Sequence, residues 1–167
     1  TFDPSPGGPR RELLFIGRLA PVKGARYLID SLPQVLAQRR DFHLTVVGGS
    51  PPPGCRSDEP YLRRRIEELR LQDHVTLAGQ VPHSRVPSYL RKADLVVMPS
   101  ETEGFHYALL EAWASEVPVL ATDIPFHREL VDPSTGRLCG FSPESMAVGI
   151  LAFLSMDSSA LLRSEER

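Results

Sequence analysis

Apolar residues gather in five short runs along the chain, at residues 13–16, 44–47, 75–77, 95–98 and 118–121, with longer and more polar stretches between them. The first, second and fourth are dominated by Leu, Ile, Val, Phe and Met, and each ends at or next to Gly or Pro. Such runs fit strands buried on both faces of a parallel sheet. Between strands the periodicity changes. Tyr27, Leu28, Leu32, Val35 and Leu36 recur at helical spacing and predict a helix over residues 24–39. Pro33 sits inside it, where a missing amide and a clash with the preceding turn predict a kink or break at Leu32. Further helices are expected after Pro60, after Ser84, over residues 105–115 and from Ser142. At Ser142 the order Ser-Pro-Glu supplies a cap, a first-turn proline and an acid. Strand and helix thus alternate, which predicts an α/β fold: a doubly wound, mainly parallel Rossmann-like sheet flanked by helices.

Length and composition narrow this picture. The 167 residues suit one domain, and no fixed-period repeat or internal linker divides them. Residues 1–10, rich in Pro and Gly, read as a linker from a preceding domain, and residues 11–167 as the domain itself. The chain opens on Thr1 without an initiator Met and reads as a fragment. A net charge of −2 lacks the footprint of a nucleic-acid binder. The basic run Arg63-Arg64-Arg65 faces Glu67 and Glu68 at i, i+4 spacing and reads as a solvated helix face. The longest apolar run, residues 146–156, falls short of the roughly 20 residues a membrane span needs. Two cysteines, Cys55 and Cys139, stand outside any C-x-x-C pattern and fit free thiols in a reducing compartment, with a single bridge still open.

In an open parallel sheet, ligands bind beyond the carboxyl ends of the strands, so chemistry is sought in the strand-to-helix loops. The first carries Gly17 and Arg18, then Lys23-Gly24 at the mouth of a helix. A guanidinium fork and an ammonium suit a diphosphate; taken alone they also fit a loop with two surface charges. Neither G-x-G-x-x-G nor G-K-[ST] occurs here. The loop after the third strand, around Val81, has backbone groups able to read a base edge. The loop after the fourth carries Glu103, Gly104, Phe105, His106 and Tyr107, with Glu111 further on. If every step between the two glutamates were helical they would lie about 12 Å apart along the axis, comparable to the reach from a sugar across two phosphates to a ribose. The amides of Phe105, His106 and Tyr107 at the helix mouth would then receive a phosphate. The plainer alternative makes both glutamates helix-start acids that complement the dipole. No D-x-D pair occurs, and the five histidines lack metal-ligand spacing, so neither metal nor cofactor is expected.

Together, Gly17-Arg18-Leu19 with Lys23-Gly24, the Ala93-Asp94 strand ending in Pro99-Ser100, and Glu103-Gly104-Phe105 with Glu111-Ala112 resemble the C-terminal, donor-binding domain of group 1 glycosyl transferases of the GT-B fold, which are retaining enzymes. The resemblance runs from about residue 13 to the helix after Ser142. It implies that Arg18 and Lys23 hold the donor diphosphate, that Glu103 contacts donor-sugar hydroxyls, that Glu111 binds the ribose, and that the base is met around Val81. It implies a UDP, GDP or ADP sugar as partner, and an N-terminal domain of the same enzyme carrying the acceptor site. The isolated domain is then expected to be inactive, in the cytoplasm or at a membrane's cytoplasmic face through the parent enzyme. Two places depart from the family pattern: His106 stands where a second glycine is usual, and residues 123–129 replace a glycine pair. A non-catalytic interaction module on the same fold, or half of a sugar-nucleotide epimerase, remains the alternative reading.

Overall fold

A computed structural model describes residues 11–104 and 107–156. Six parallel strands form a single sheet in the order β3-β2-β1-β4-β5-β6. They are β1 (Arg11–Ile16), β2 (Phe42–Val47), β3 (Val75–Gly79), β4 (Leu95–Met98), β5 (Val119–Thr122) and β6 (Gly136–Cys139). The helices are α1 (Ala25–Leu36), α2 (Glu59–Glu68), α3 (Val86–Leu90), α4 (Tyr107–Ala114), α5 (Pro125–Leu130) and α6 (Pro143–Leu154). All five expected strands are present. The sixth strand and α5 were not foreseen.

Side-chain alternation along β1 shows how the sheet is covered. Leu13 and Phe15 join Leu28, Leu32, Leu62 and Ile150, from α1, α2 and α6, in one apolar cluster. Leu14 points the other way and joins Val86, Leu90, Leu109 and Ala112, from α3 and α4. A strand covered on both faces must be apolar at consecutive positions, which is why residues 13–15 read as a continuous run.

Helix α1 runs unbroken through Pro33, so the expected break does not occur. Pro33 lies on the exposed side of the last turns, while Leu28, Leu32 and Val35 are fully buried beneath it. Burial of about 1.5–3 kcal/mol per such side chain outweighs a proline penalty of about 3 kcal/mol. At α6 the reading holds in detail: Ser142 caps the helix, its hydroxyl accepting from the Ser145 amide at 3.1 Å, and Pro143 follows in the first turn. The basic run pairs differently from expectation. Arg63 bonds back to Glu59, Arg64 meets Glu68 as its spacing suggested, and Arg65 crosses to Asp30 on α1. Cys55 is exposed and Cys139 buried, and both are free thiols. Burial pushes the Cys139 thiol up to about 12. No helix among the described residues is long and apolar enough to cross a membrane.

Candidate functional site

Strand order reverses between β1 and β4: from β1 the chain winds outward to β2 and β3, and from β4 it winds the other way to β5 and β6. At such a switch point the two following loops part and leave a crevice beyond the strand ends. Two hydrogen bonds fix the loops here. Gly17, just past β1, donates its amide to the Val47 carbonyl at 3.0 Å, and the Glu101 amide donates to the Val22 carbonyl at 2.9 Å. The loop after β1 is thereby tied to β2 on one side and to the loop after β4 on the other. Gly48 has φ +148°, and a Cβ there would come within 1.8 Å of the Gly17 carbonyl oxygen, so these two loop crests meet as bare backbone.

The short 3-10 turn Pro21–Lys23 carries Lys23 across the switch point to Glu103. Lys23 Nζ donates to Glu103 Oε1 at 2.6 Å, and Ser100 Oγ donates to the same oxygen, also at 2.6 Å. The Glu103 side chain is only 3% exposed, so its charge is held by an ammonium and a hydroxyl in a largely water-free setting. Ser100 is itself anchored: its carbonyl accepts from Thr122 Oγ1 at 2.5 Å. The Thr122 carbonyl in turn accepts from His127 Nδ1 at 2.8 Å, which requires a proton on Nδ1. His127 is completely buried on α5, and burial lowers its pKa, with Glu103 raising it and Lys23 lowering it to lesser degrees. The loops after β1 and β4 thus meet at one carboxylate, and β5 and α5 brace Ser100 behind it.

Glu111 lies one turn into α4 and accepts from His83 Nε2 at 2.5 Å. His83 lies two residues beyond Val81 in the segment after β3, so that segment meets helix α4. Val81 is half-buried against the second apolar cluster. Arg18 is exposed and has no hydrogen-bond or ion-pair partner among the described residues. Gly104 is exposed, and Tyr107, the first residue of α4, is 73% exposed. Phe105 and His106 fall outside the described residues.

Glu103 and Gly104 lie outside any helix, so the steps between the two glutamates are not all helical and the condition behind the separation of about 12 Å is not met. Of the foreseen side chains, the structure joins Lys23 to Glu103, and gives Glu111 an unforeseen partner in His83. Ser100, Thr122 and His127 were also missed as site residues. Ser100 and Thr122 end or follow strands, where a lone hydroxyl after an apolar run is a weak signal; nothing in the spacing of His127 sets it apart. Among the described residues, no group of three or more His, Cys, Asp or Glu side chains is placed to hold a metal ion.

Comparison with known proteins bears on this arrangement. The family model for group 1 glycosyl transferases matches residues 10–156. The phosphatidyl-myo-inositol mannosyltransferase of Mycolicibacterium smegmatis is 33% identical over 170 aligned positions, covering 96% of this chain and 42% of that protein. The sucrose-phosphate synthase of Thermosynechococcus elongatus superposes with a TM-score of 0.75 at 32% identity, over 92% of this chain and 38% of its own. The Anabaena protein HepE, solved with UDP and glucose, superposes with a TM-score of 0.77 at 24% identity, over 91% of this chain and 40% of its own. The chain spans between 26% and 42% of the length of the curated relatives it matches.

Proposed function

This chain belongs to the group 1 glycosyl transferases, and on that premise we propose that it is the donor-binding part of an enzyme that moves a sugar from a nucleotide diphosphate sugar to an acceptor with retention. The observation that carries the proposal is the Lys23–Glu103 contact at the switch between β1 and β4, the point at which open parallel sheets take their ligands.

Breaking an anomeric bond leaves negative charge on the departing diphosphate. Fixed cations stabilise that charge as it develops without reorganising at the moment of reaction. Lys23 has three donors and uses one on Glu103, which aims the ammonium and leaves it donors for a phosphate oxygen. Arg18, exposed two residues after β1, adds a planar fork. With these groups in place the reaction needs no bound metal. Glu103 takes the donor-sugar hydroxyls, Glu111 the ribose, and the segment around Val81 the base. The UDP and glucose named in the HepE structure support a nucleotide sugar as the partner.

The acceptor site lies in a further N-terminal domain of the same enzyme, in the cytoplasm or at the cytoplasmic face of a membrane, and the present chain alone does not turn over. One observation favours a second reading, an interaction module that no longer uses its site: the Glu103 carboxylate is already satisfied by Lys23 and Ser100. Titration calorimetry with UDP, GDP and ADP separates the two. Millimolar or tighter binding of one of them is expected. Absence of binding to all three favours the interaction module.

A further inference from the structure

His83 is 84% exposed, yet its Nε2 lies 2.5 Å from Oε1 of Glu111, 28 positions away on α4. A pair this open to water adds roughly 0–1 kcal/mol to stability, so the fold does not depend on it. Its effect is geometric. Glu111, 27% exposed, would otherwise rotate about its side-chain torsions at the surface of α4; with Oε1 engaged by the imidazole, that freedom is narrowed and Oε2 is left to accept from a ligand. Oε2 has no partner among the described residues. The imidazole comes from the 3-10 turn His83–Arg85, two residues beyond Val81, so the loop after β3 sets the direction of a carboxylate on the next helix but one.

We infer that His83 is a positioning residue that aims the Glu111 carboxylate at a vicinal hydroxyl of the bound nucleoside, and so makes the site selective for ribonucleotides over deoxyribonucleotides. The inference rests on the proposed nucleotide-binding function and adds to it a selectivity and the residue that sets it. A carboxylate accepts hydrogen bonds only. Its natural partner is a hydroxyl donor, and a sugar lacking that hydroxyl leaves the carboxylate with nothing to accept. A site built to bond a hydroxyl rejects the analogue without it more strongly than an apolar site rejects an added group.

The test measures affinity of this chain for UDP, GDP and ADP and for their 2′-deoxy and 3′-deoxy counterparts, with wild type, His83→Ala and His83→Gln. Wild type should prefer a ribonucleotide by about tenfold or more, the discrimination expected of one hydrogen bond to a charged group. His83→Ala should cut that preference to less than about threefold, while His83→Gln, whose amide can reach the Nε2 position, should retain most of it. Thermal midpoints of both variants should equal wild type, since the side chain is exposed. An unchanged preference in His83→Ala overturns the inference, as does a wild type that binds ribo and deoxy forms equally. A wild type that binds none of the nucleotides overturns the nucleotide-binding function itself, and with it this selectivity.

Discussion

Gly24 packs its Cα directly on the carbonyl of Pro99: a Cβ at position 24 would lie 1.9 Å from that oxygen, and the residue adopts φ +71°. Two independent constraints therefore require glycine where the loop after β1 meets the end of β4, one residue from Lys23 and one from Ser100.

Gly24→Ala should destabilise the chain by at least about 2 kcal/mol, combining left-handed backbone strain with the overlap against Pro99. In a protein of this size that corresponds to a fall in Tm of roughly 4–8 °C. Thermal unfolding followed by circular dichroism measures it, and an unchanged midpoint would show that the two loops are not joined here.

Lys23→Ala strips the near-fully buried Glu103 of its counter-charge and should cost about 3 kcal/mol of stability. Adding Glu103→Gln should recover a large part of that loss, because a neutral amide no longer needs an ammonium. Denaturant unfolding of the two single variants and the double variant gives the coupling. Additive losses would mean that the pair does not act as a unit.

The fold's legibility varied with burial. Strands β1, β2 and β4 are covered on both faces and announce themselves as apolar runs. Strand β6 is an edge strand whose Arg137 and Leu138 are exposed, so neither a run nor a strict alternation marks it. Helix α5, six residues long and opened by Pro125, is too short for helical periodicity to emerge. At the site, Lys23 and Glu103 were legible because charged residues at strand ends in a parallel sheet point to its ligand crevice. The His83–Glu111 and His127–Thr122 contacts were not, because each depends on how loops from different strands lean on one another. The break expected at Pro33 fails for a similar reason: local propensity predicted a kink or a break, and packing of α1 against the sheet and α6 keeps the helix continuous.

Burial holds His127 below the ordinary histidine pKa, so its folded state favours the neutral ring. A group whose pKa is depressed by folding contributes stability that is present above the unfolded value and is lost as pH falls toward the folded one. The chain should therefore lose stability as pH drops below about 6.5, the unperturbed histidine value. His127→Asn, whose amide can still donate to the Thr122 carbonyl, should show a shallower fall over the same range. Urea midpoints between pH 7.5 and 5.5 test this; parallel pH profiles for the two proteins would remove His127 from the account.

Glu111 is partly exposed and bonded only to an exposed imidazole among the described residues, so Glu111→Ala should leave the thermal midpoint within about 1 °C of wild type. Nucleotide affinity should nevertheless fall by about 1.5–3 kcal/mol if its carboxylate bonds a ribose hydroxyl. Calorimetric titration alongside thermal unfolding separates binding from folding, and equal affinity in the variant would remove Glu111 from the nucleoside contact.

The central claim, that a nucleotide diphosphate is gripped at the β1/β4 crevice, is tested most directly by titrating UDP, GDP and ADP into wild type and Arg18→Ala. Arg18 is exposed and has no partner among the described residues, so its loss leaves the fold intact. The account predicts millimolar or tighter binding of at least one nucleotide to wild type, weakened about tenfold or more in Arg18→Ala through loss of a charge-assisted bond. Binding that is absent from wild type, or of equal strength in both proteins, would contradict it.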